Sequence, residues 1–436
     1  MSAALLCFTF VLGASLSPAA YLIVEASGLT LLVLALIDPR HDSRSFPIGF
    51  QIVLGTLCLL LVTQLVPLPY ALWRALPGRM LPAEIVEAAA LEIHARPLSL
   101  DPEATLAALL YLIPGIAMFF ATGIATYRQR VQLSALIILC VLASILLAAA
   151  QVSGVSAAYP YPTAHEGYAV GLFLNRNHEA ILILIGIALL PILYHSRQAL
   201  RLGTALRRAS VLILMMLFAA SVIVTISRAG LVLMPIAVLA SLAFTLRLNA
   251  PRSSRPGRRR LLWMTTIAVV VIVIAALLST SQVVVGTVSR LDGAFHDIRA
   301  VYWRDTLLAI QTYWPVGSGF GTFVPVYASV EALDSVGNTY VNHAHNDYLE
   351  LALEGGLPVL LILMGYCVLL VRTALQPCPP EHMIFRRCAL LAIGLLLLHS
   401  VVDYPIRTYF ISTIFGFLNG MLVYPCSGTS ELRREG

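Results

Sequence analysis

The sequence predicts an all-α polytopic membrane protein of about twelve transmembrane helices, with one long outer loop between the ninth and the tenth. Three observations predict it. Hydrophobic residues make up 59% of the 436 and charged residues only 11%, where a soluble domain carries roughly a quarter charged. Mean hydropathy is +0.87. Apolar runs of the length that crosses about 30 Å of hydrocarbon recur along the whole chain.

The runs place spans near 4–20, 21–37, 49–68, 104–125, 132–151, 178–194, 209–226, 229–246, 262–281, 347–371, 386–402 and 407–424. The first two are short and closely joined, so eleven is the alternative count. With the spans removed no soluble domain of useful size remains, and residues 1–436 read as a single integral membrane domain. The first run lacks a basic n-region and many spans follow it, which argues against a cleaved signal peptide. Five of the seven cysteines (Cys7, Cys58, Cys140, Cys367 and Cys388) lie in apolar runs, where a thiol behaves as a small hydrophobe. Cys378 and Cys426 fall in segments placed on the cytoplasmic side, and none of the seven has the paired spacing of a zinc site.

Orientation follows from the arginines. The chain has no lysine, so all 28 basic residues are arginine. Nineteen of them, from Arg40 and Arg44 through Arg128, Arg130, the 197–208 and 247–260 groups, Arg372, Arg386 and Arg387 to Arg433 and Arg434, share one side when the spans alternate. The positive-inside rule makes that side the cytoplasm and puts both termini there. The other nine, Arg74, Arg79, Arg96, Arg176, Arg228, Arg290, Arg299, Arg304 and Arg407, sit outside or at outer helix ends, against the topogenic bias. Each alone also reads as an interfacial or solvated residue; as a group they point to an anionic ligand, phosphate first among them. Three outer segments are long enough to build a site: 69–103, 152–177 and 282–346.

The sharpest local pattern is Asn342-His-Ala-His-Asn-Asp-Tyr-Leu-Glu350, where the long outer loop enters a span. His345 sits there among Asn346, Asp347 and Tyr348, and histidine takes up a proton near neutral pH without a large shift. The alternative is an interfacial histidine or a helix cap. His343 and His345 stand at i, i+2, a spacing for sharing a cation that suits a strand better than a helix, and no further ligand pattern accompanies them, so no metal is expected. Ser227-Arg228-Ala-Gly230 occupies a tight outer turn, where an arginine is costly unless it faces a cavity, a partner or the interface. Arg299-Ala-Val-Tyr-Trp303-Arg304 precedes Gly317-Ser-Gly-Phe-Gly321, which reads either as a phosphate-cradling turn or as a tight turn alone.

These residues fit one chemistry. A sugar on a lipid diphosphate is an activated donor whose leaving group departs with negative charge. Outer arginines hold that charge without Mg²⁺, and a histidine deprotonates the attacking hydroxyl. The chain has no Asp-x-Asp of the kind used for metal-held nucleotide sugars.

The pieces Asn175-Arg-Asn-His178, Ser227-Arg-Ala-Gly230, Arg299-x-x-x-Trp303, Gly317-Ser-Gly-Phe-Gly-Thr-Phe323, His345-Asn-Asp-Tyr-Leu-Glu350 and Val402-Asp-Tyr-Pro-Ile-Arg407 occur in an order that resembles the O-antigen ligase and Wzy-type polysaccharide polymerase superfamily, over about residues 170–410. The resemblance implies a multi-pass protein of the bacterial inner membrane with a periplasmic active site, so that 69–103, 152–177 and 282–346 become periplasmic loops. It implies a glycan on undecaprenyl diphosphate as donor, and a second glycan or the lipid A core as acceptor. Carried across, the catalytic residues are His345, Arg228 and Arg299, with Arg176, Arg290, Arg304, His343, Asn346 and Tyr348 as substrate-binding residues. No cofactor is expected, and the partners are these glycans and membrane lipid rather than nucleic acid.

The ligase pattern is His-Asn, nine residues, then Gly-x-x-Gly; here Gly356-Leu-Pro-Val359 lacks the second glycine. That departure tilts the expectation to polymerase, with ligase as the alternative. A lipid-glycan transporter is the reading from another class. It fits the span count but not the lack of half-to-half symmetry or the outer placement of the charges.

Overall fold

The computed structural model describes residues 1–13, 17–39, 46–90, 94–161, 167–196, 203–247, 298–333, 336–337 and 340–423. The described chain is helical with one two-residue strand pair. In order run α1 (Ser2–Leu12), α2 (Pro18–Ile37), α3 (Ile48–Gln64), α4 (Tyr70–Arg74), α5 (Met80–Ala88), α6 (Pro102–Tyr111), α7 (Ile113–Gly123), α8 (Tyr127–Val152), α9 (Arg176–His195), α10 (Thr204–Val224) and α11 (Arg228–Arg247). Beyond residue 297 come α12 (Arg299–Tyr313), α13 (Phe323–Ala328), α14 (Asp347–Leu375), α15 (Met383–His399) and α16 (Tyr409–Gly420). β1 (Pro67–Leu68) pairs antiparallel with β2 (Arg96–Pro97).

Helix starts follow local chemistry. Thr126 and Gln129 form a reciprocal capping box at α8. Asp101 accepts the Ala104 amide at 3.0 Å ahead of Pro102, which needs no donor at the first helical position. Asn175 and Asn346 cap α9 and α14 in the same way. At other helix ends, Arg386 donates to the Thr373 and Gln376 carbonyls, and Arg130 to those of Gly123 and Val423. These two arginines thus satisfy orphan carbonyls that hydrocarbon would leave unpaired.

Seven described helices are long and apolar enough to cross a membrane, with α6 and α7 counted together as one. Eleven of the twelve expected spans correspond to described helices; 262–281 lies outside the described residues. α1 is distinct from α2, but its 11 residues reach only about 16 Å, roughly half the hydrocarbon thickness. Part of the segment expected as long loop is helical. α12 buries Asp305, Thr306, Ala309 and Tyr313, one face at helical spacing, and packs on α14.

The core is organised around α9. Every residue from His178 to Tyr194 is buried, under α8, α10, α11 and α15. A helix apolar on all sides is buried in protein or in hydrocarbon, and here other helices surround it. Its N-terminus therefore lies at the centre of one end of the bundle. α2, α7 and α16 pack as a neighbouring group, and α3 lies along α14.

α14 breaks at Gly356, whose φ of 59° and ψ of −150° only glycine adopts readily, two residues before Pro358. The glycine-rich turn fills the break. Ser318 N donates to Leu353 O at 2.9 Å, Gly319 N to Glu354 O at 3.0 Å, and Leu357 N to Pro315 O at 2.9 Å. The Phe320 amide donates to Gln64 Oε1 and the Gly321 amide to Glu354 Oε1, each at 2.9 Å. These amides are spent on protein acceptors, so the turn is a wedge in a broken helix and not a phosphate cradle.

Candidate active site

The carboxyl of Asp403 is the point where the site's elements meet. It lies between α15 and α16 and is fully buried. Its Oδ1 accepts the Tyr404 amide at 2.9 Å. From the cap of α9, Asn175 Nδ2 stands 3.3 Å from Oδ1, and Asn177 Nδ2 donates to Oδ2. From α12, Arg299 Nη2 reaches Oδ2 at 3.5 Å. His178 Nε2 and His345 Nδ1 each stand 3.6 Å from Oδ1, just beyond hydrogen-bonding distance. Burial alone would raise this carboxyl, but the two adjoining imidazoles outweigh it and hold it well below the usual carboxylate range. A buried ionised carboxylate beside His345 Nδ1 leaves Nε2 as the nitrogen for chemistry, the arrangement that suits a general base.

Aromatic packing fixes the rings. Tyr404 contacts three imidazoles, with centroids 4.1 Å from His343, 4.9 Å from His178 and 5.0 Å from His345. Tyr302 of α12 stacks on the far side of His345 at 6.0 Å. Burial and then the Asp403 charge push the Tyr404 hydroxyl up, so it stays a neutral platform. His345 itself has φ of 50°, and Ile226, two residues before Arg228, has φ of 53°. Non-glycine residues hold this left-handed conformation at a cost of order 1–3 kcal/mol and cluster at functional sites.

A second charged cluster adjoins the first. Arg407 faces Asp347 at 3.5 Å, Glu350 at 3.0 Å and Glu354 at 2.9 Å. Glu350 also takes His343 Nδ1 at 2.8 Å on Oε1 and the Ala344 amide at 2.9 Å on Oε2. The Asp347 amide donates to the Ser400 carbonyl, 3.0 Å away, and lies 3.3 Å from that of Asp403, so the two clusters share a backbone.

The structure sorts the outer arginines. Arg79, whose pKa burial pulls down to about 10, donates to the Leu98 carbonyl at 2.6 Å and that of Gly317 at 3.1 Å. Arg74 pairs with Glu87, and Arg407 with its three carboxylates. Arg96 lies over Trp73 and Arg176 over Tyr168. Arg304 is largely exposed and bonds Asp305 rather than Asp403. Among the described arginines of this group, Arg299 reaches Asp403. Arg228 opens α11 at the same end as the α9 cap, because Gly230 backs directly onto Ala180; a Cβ at 230 would come within 2.8 Å of the Ala180 methyl. Arg290 lies outside the described residues. The Asn346 side chain is occupied as the cap of α14, and Tyr348 Oη donates to the Leu397 carbonyl at 2.6 Å.

Sequence reasoning quoted His178, Asn177 and Asp403 within motifs but assigned them no role. Their grouping was the available signal: each short motif sets several polar side chains at the end of an apolar run.

An apolar cavity of about 340 Å³ adjoins the second cluster. Leu57 and Leu61 of α3, Ile116 of α7 and Leu363 of α14 line it, and Asp347, Ser400 and Arg407 are its polar residues near the site.

Fold and site together define a polytopic helical membrane protein with a buried carboxylate gathering histidine, arginine and asparagine at one end of its bundle. A family model described as O-antigen ligase matches residues 213–364, which include Arg228, Arg299, His343 and His345. That match supports the O-antigen ligase and Wzy-type superfamily and glycan transfer of that kind. The α9 cap and Asp403 lie outside the matched stretch. No curated protein matches the chain significantly.

Proposed function

We propose that the chain is a polysaccharide polymerase of the bacterial inner membrane. It transfers a glycan from an undecaprenyl-diphosphate carrier to a sugar hydroxyl at the periplasmic face. The observation that carries this reading is the convergence of Asn175, Asn177, His178, Arg299 and His345 on Asp403.

His345 Nε2 takes the proton of the acceptor hydroxyl, whose oxygen attacks the anomeric carbon. The bond from that carbon to the diphosphate oxygen breaks, and the diphosphate leaves with the electron pair. Arg228 and Arg299 hold the charge that develops there, which makes a metal unnecessary for this step. Asp403 stabilises the imidazolium as the proton arrives. A single displacement inverts the anomeric centre. The apolar cavity supports a lipid-borne substrate, since it offers hydrocarbon contact beside the charged clusters.

The second reading is an O-antigen ligase that delivers the glycan to lipid A core, and the description of the matched family favours it. Purified protein in lipid vesicles with a polyprenyl-diphosphate-linked repeat unit separates the two. A product ladder from that substrate alone, lost in His345→Ala, supports the polymerase. Product only after lipid A core is added supports the ligase. No transfer under either condition, with the protein folded, overturns both.

A further inference from the structure

The site contains a second histidine built as carefully as the first. Glu350 Oε1 takes His343 Nδ1 at 2.8 Å, shorter than the 3.6 Å between His345 and Asp403. Glu350 is fully buried and cannot rotate away: Oε2 holds the Ala344 amide at 2.9 Å, and Arg407 Nη1 sits 3.0 Å from Oε1. The His343 ring rests on Tyr404, yet 26% of the side chain is exposed. A carboxylate only accepts, so Nδ1–H is the donor, and in the neutral ring Nε2 carries the lone pair.

The surrounding charge says what that nitrogen meets. Three carboxylates, Asp347, Glu350 and Glu354, face one guanidinium behind His343. An acidic backing disfavours a diphosphate and favours a neutral hydroxyl donor. Arg299 is instead 3.5 Å from Asp403. Carboxylates thus outnumber the guanidinium behind His343, whereas Arg299 and Asp403 offset each other.

We propose that His343, oriented by Glu350, contacts the acceptor glycan, its Nε2 accepting a hydrogen bond from an acceptor hydroxyl next to the one that reacts. This rests on the glycan-transfer reading above. Glu350 is a positioning residue acting through His343.

The test varies a soluble oligosaccharide acceptor (repeat-unit or core oligosaccharide, whichever supports transfer) against fixed lipid-diphosphate donor, for wild type, His343→Ala and His343→Gln. His343→Ala is expected to raise acceptor KM tenfold or more with donor KM within twofold. His343→Gln, which keeps an acceptor atom, is expected to recover part of that loss, and gel filtration confirms folding of each variant. Unchanged acceptor KM, or donor and acceptor KM rising together, overturns the proposal. Equilibrium titration of the oligosaccharide onto the same proteins separates this inference from its parent. If wild type transfers nothing, the catalytic reading fails. The acceptor contact then still stands if His343→Ala weakens oligosaccharide binding tenfold, and falls if both proteins bind alike.

Discussion

Asn177 and Asp403, separated by 226 positions in the chain, are joined by a hydrogen bond from the asparagine amide to Oδ2. That bond ties the first turn of the most buried helix to the loop between the last two, and Arg299 and His345 meet the same carboxylate from two further elements. Removing one charge at the junction tests whether the whole cluster depends on it.

Asp403→Asn keeps the shape and removes the charge beside both imidazoles. Turnover in the vesicle assay is expected to fall by about 10²–10⁴, the range general-base orientation supplies. The folded-state pKa is depressed. The stability it contributes is therefore present above the ordinary carboxylate value and lost only as pH falls through the lower folded one. Wild-type melting temperature is expected to owe no loss to Asp403 between about pH 5 and 8, and Asp403→Asn to lower it evenly across that window. A difference that vanishes at pH 5 would contradict the assignment.

His345 holds a left-handed backbone conformation. Asparagine tolerates that conformation better than most residues but supplies no base. His345→Asn is expected to insert and melt like wild type while losing about 10²-fold or more in turnover. Turnover near wild type would remove the general-base role.

Arg299→Lys keeps the charge and loses the planar fork. Glycan transfer is expected to fall about 10²–10³-fold, the cost of removing one charge-stabilising donor, with little change in melting temperature. An equal loss of stability and activity would instead make Arg299 a structural partner of Asp403.

Arg79→Met tests an arginine that structure assigns to carbonyls. Leaving the Leu98 and Gly317 carbonyls unpaired is expected to destabilise by about 1–3 kcal/mol, read as a lower melting temperature in detergent. Donor KM is expected to stay within twofold, and a selective rise in donor KM would restore a phosphate role.

Gly356→Ala places a Cβ 2.2 Å from the Pro315 carbonyl oxygen at positive φ. It is expected to destabilise by more than about 2 kcal/mol. Gly365→Ala, in open space on the same helix, is the control and is expected to be neutral or stabilising by about 0.5–1 kcal/mol.

Much of the fold was legible in the sequence because length and hydropathy are local. A run of apolar residues long enough to cross hydrocarbon has few alternatives to helix, and seven such runs are described helices. The site was legible only as separate motifs. His345 stood out in a polar motif at the entry to a span and Arg228 as a costly arginine in a tight turn, but no spacing rule connects His345 or Arg299 to Asp403.

The sequence by itself determined that this is a polytopic helical membrane protein, and it named the histidine just ahead of α14 and the arginines that begin α9, α11 and α12. Tertiary structure alone decided what they contact. It spent Arg79 and Arg407 on carbonyls and carboxylates, and it turned the glycine-rich segment into the wedge of a broken helix. It also set His178 and His345 beside Asp403 and His343 on Glu350. The physical reason is that charge interactions at 3–4 Å depend on which distant segments are brought together, whereas burial in hydrocarbon depends only on each segment's own composition.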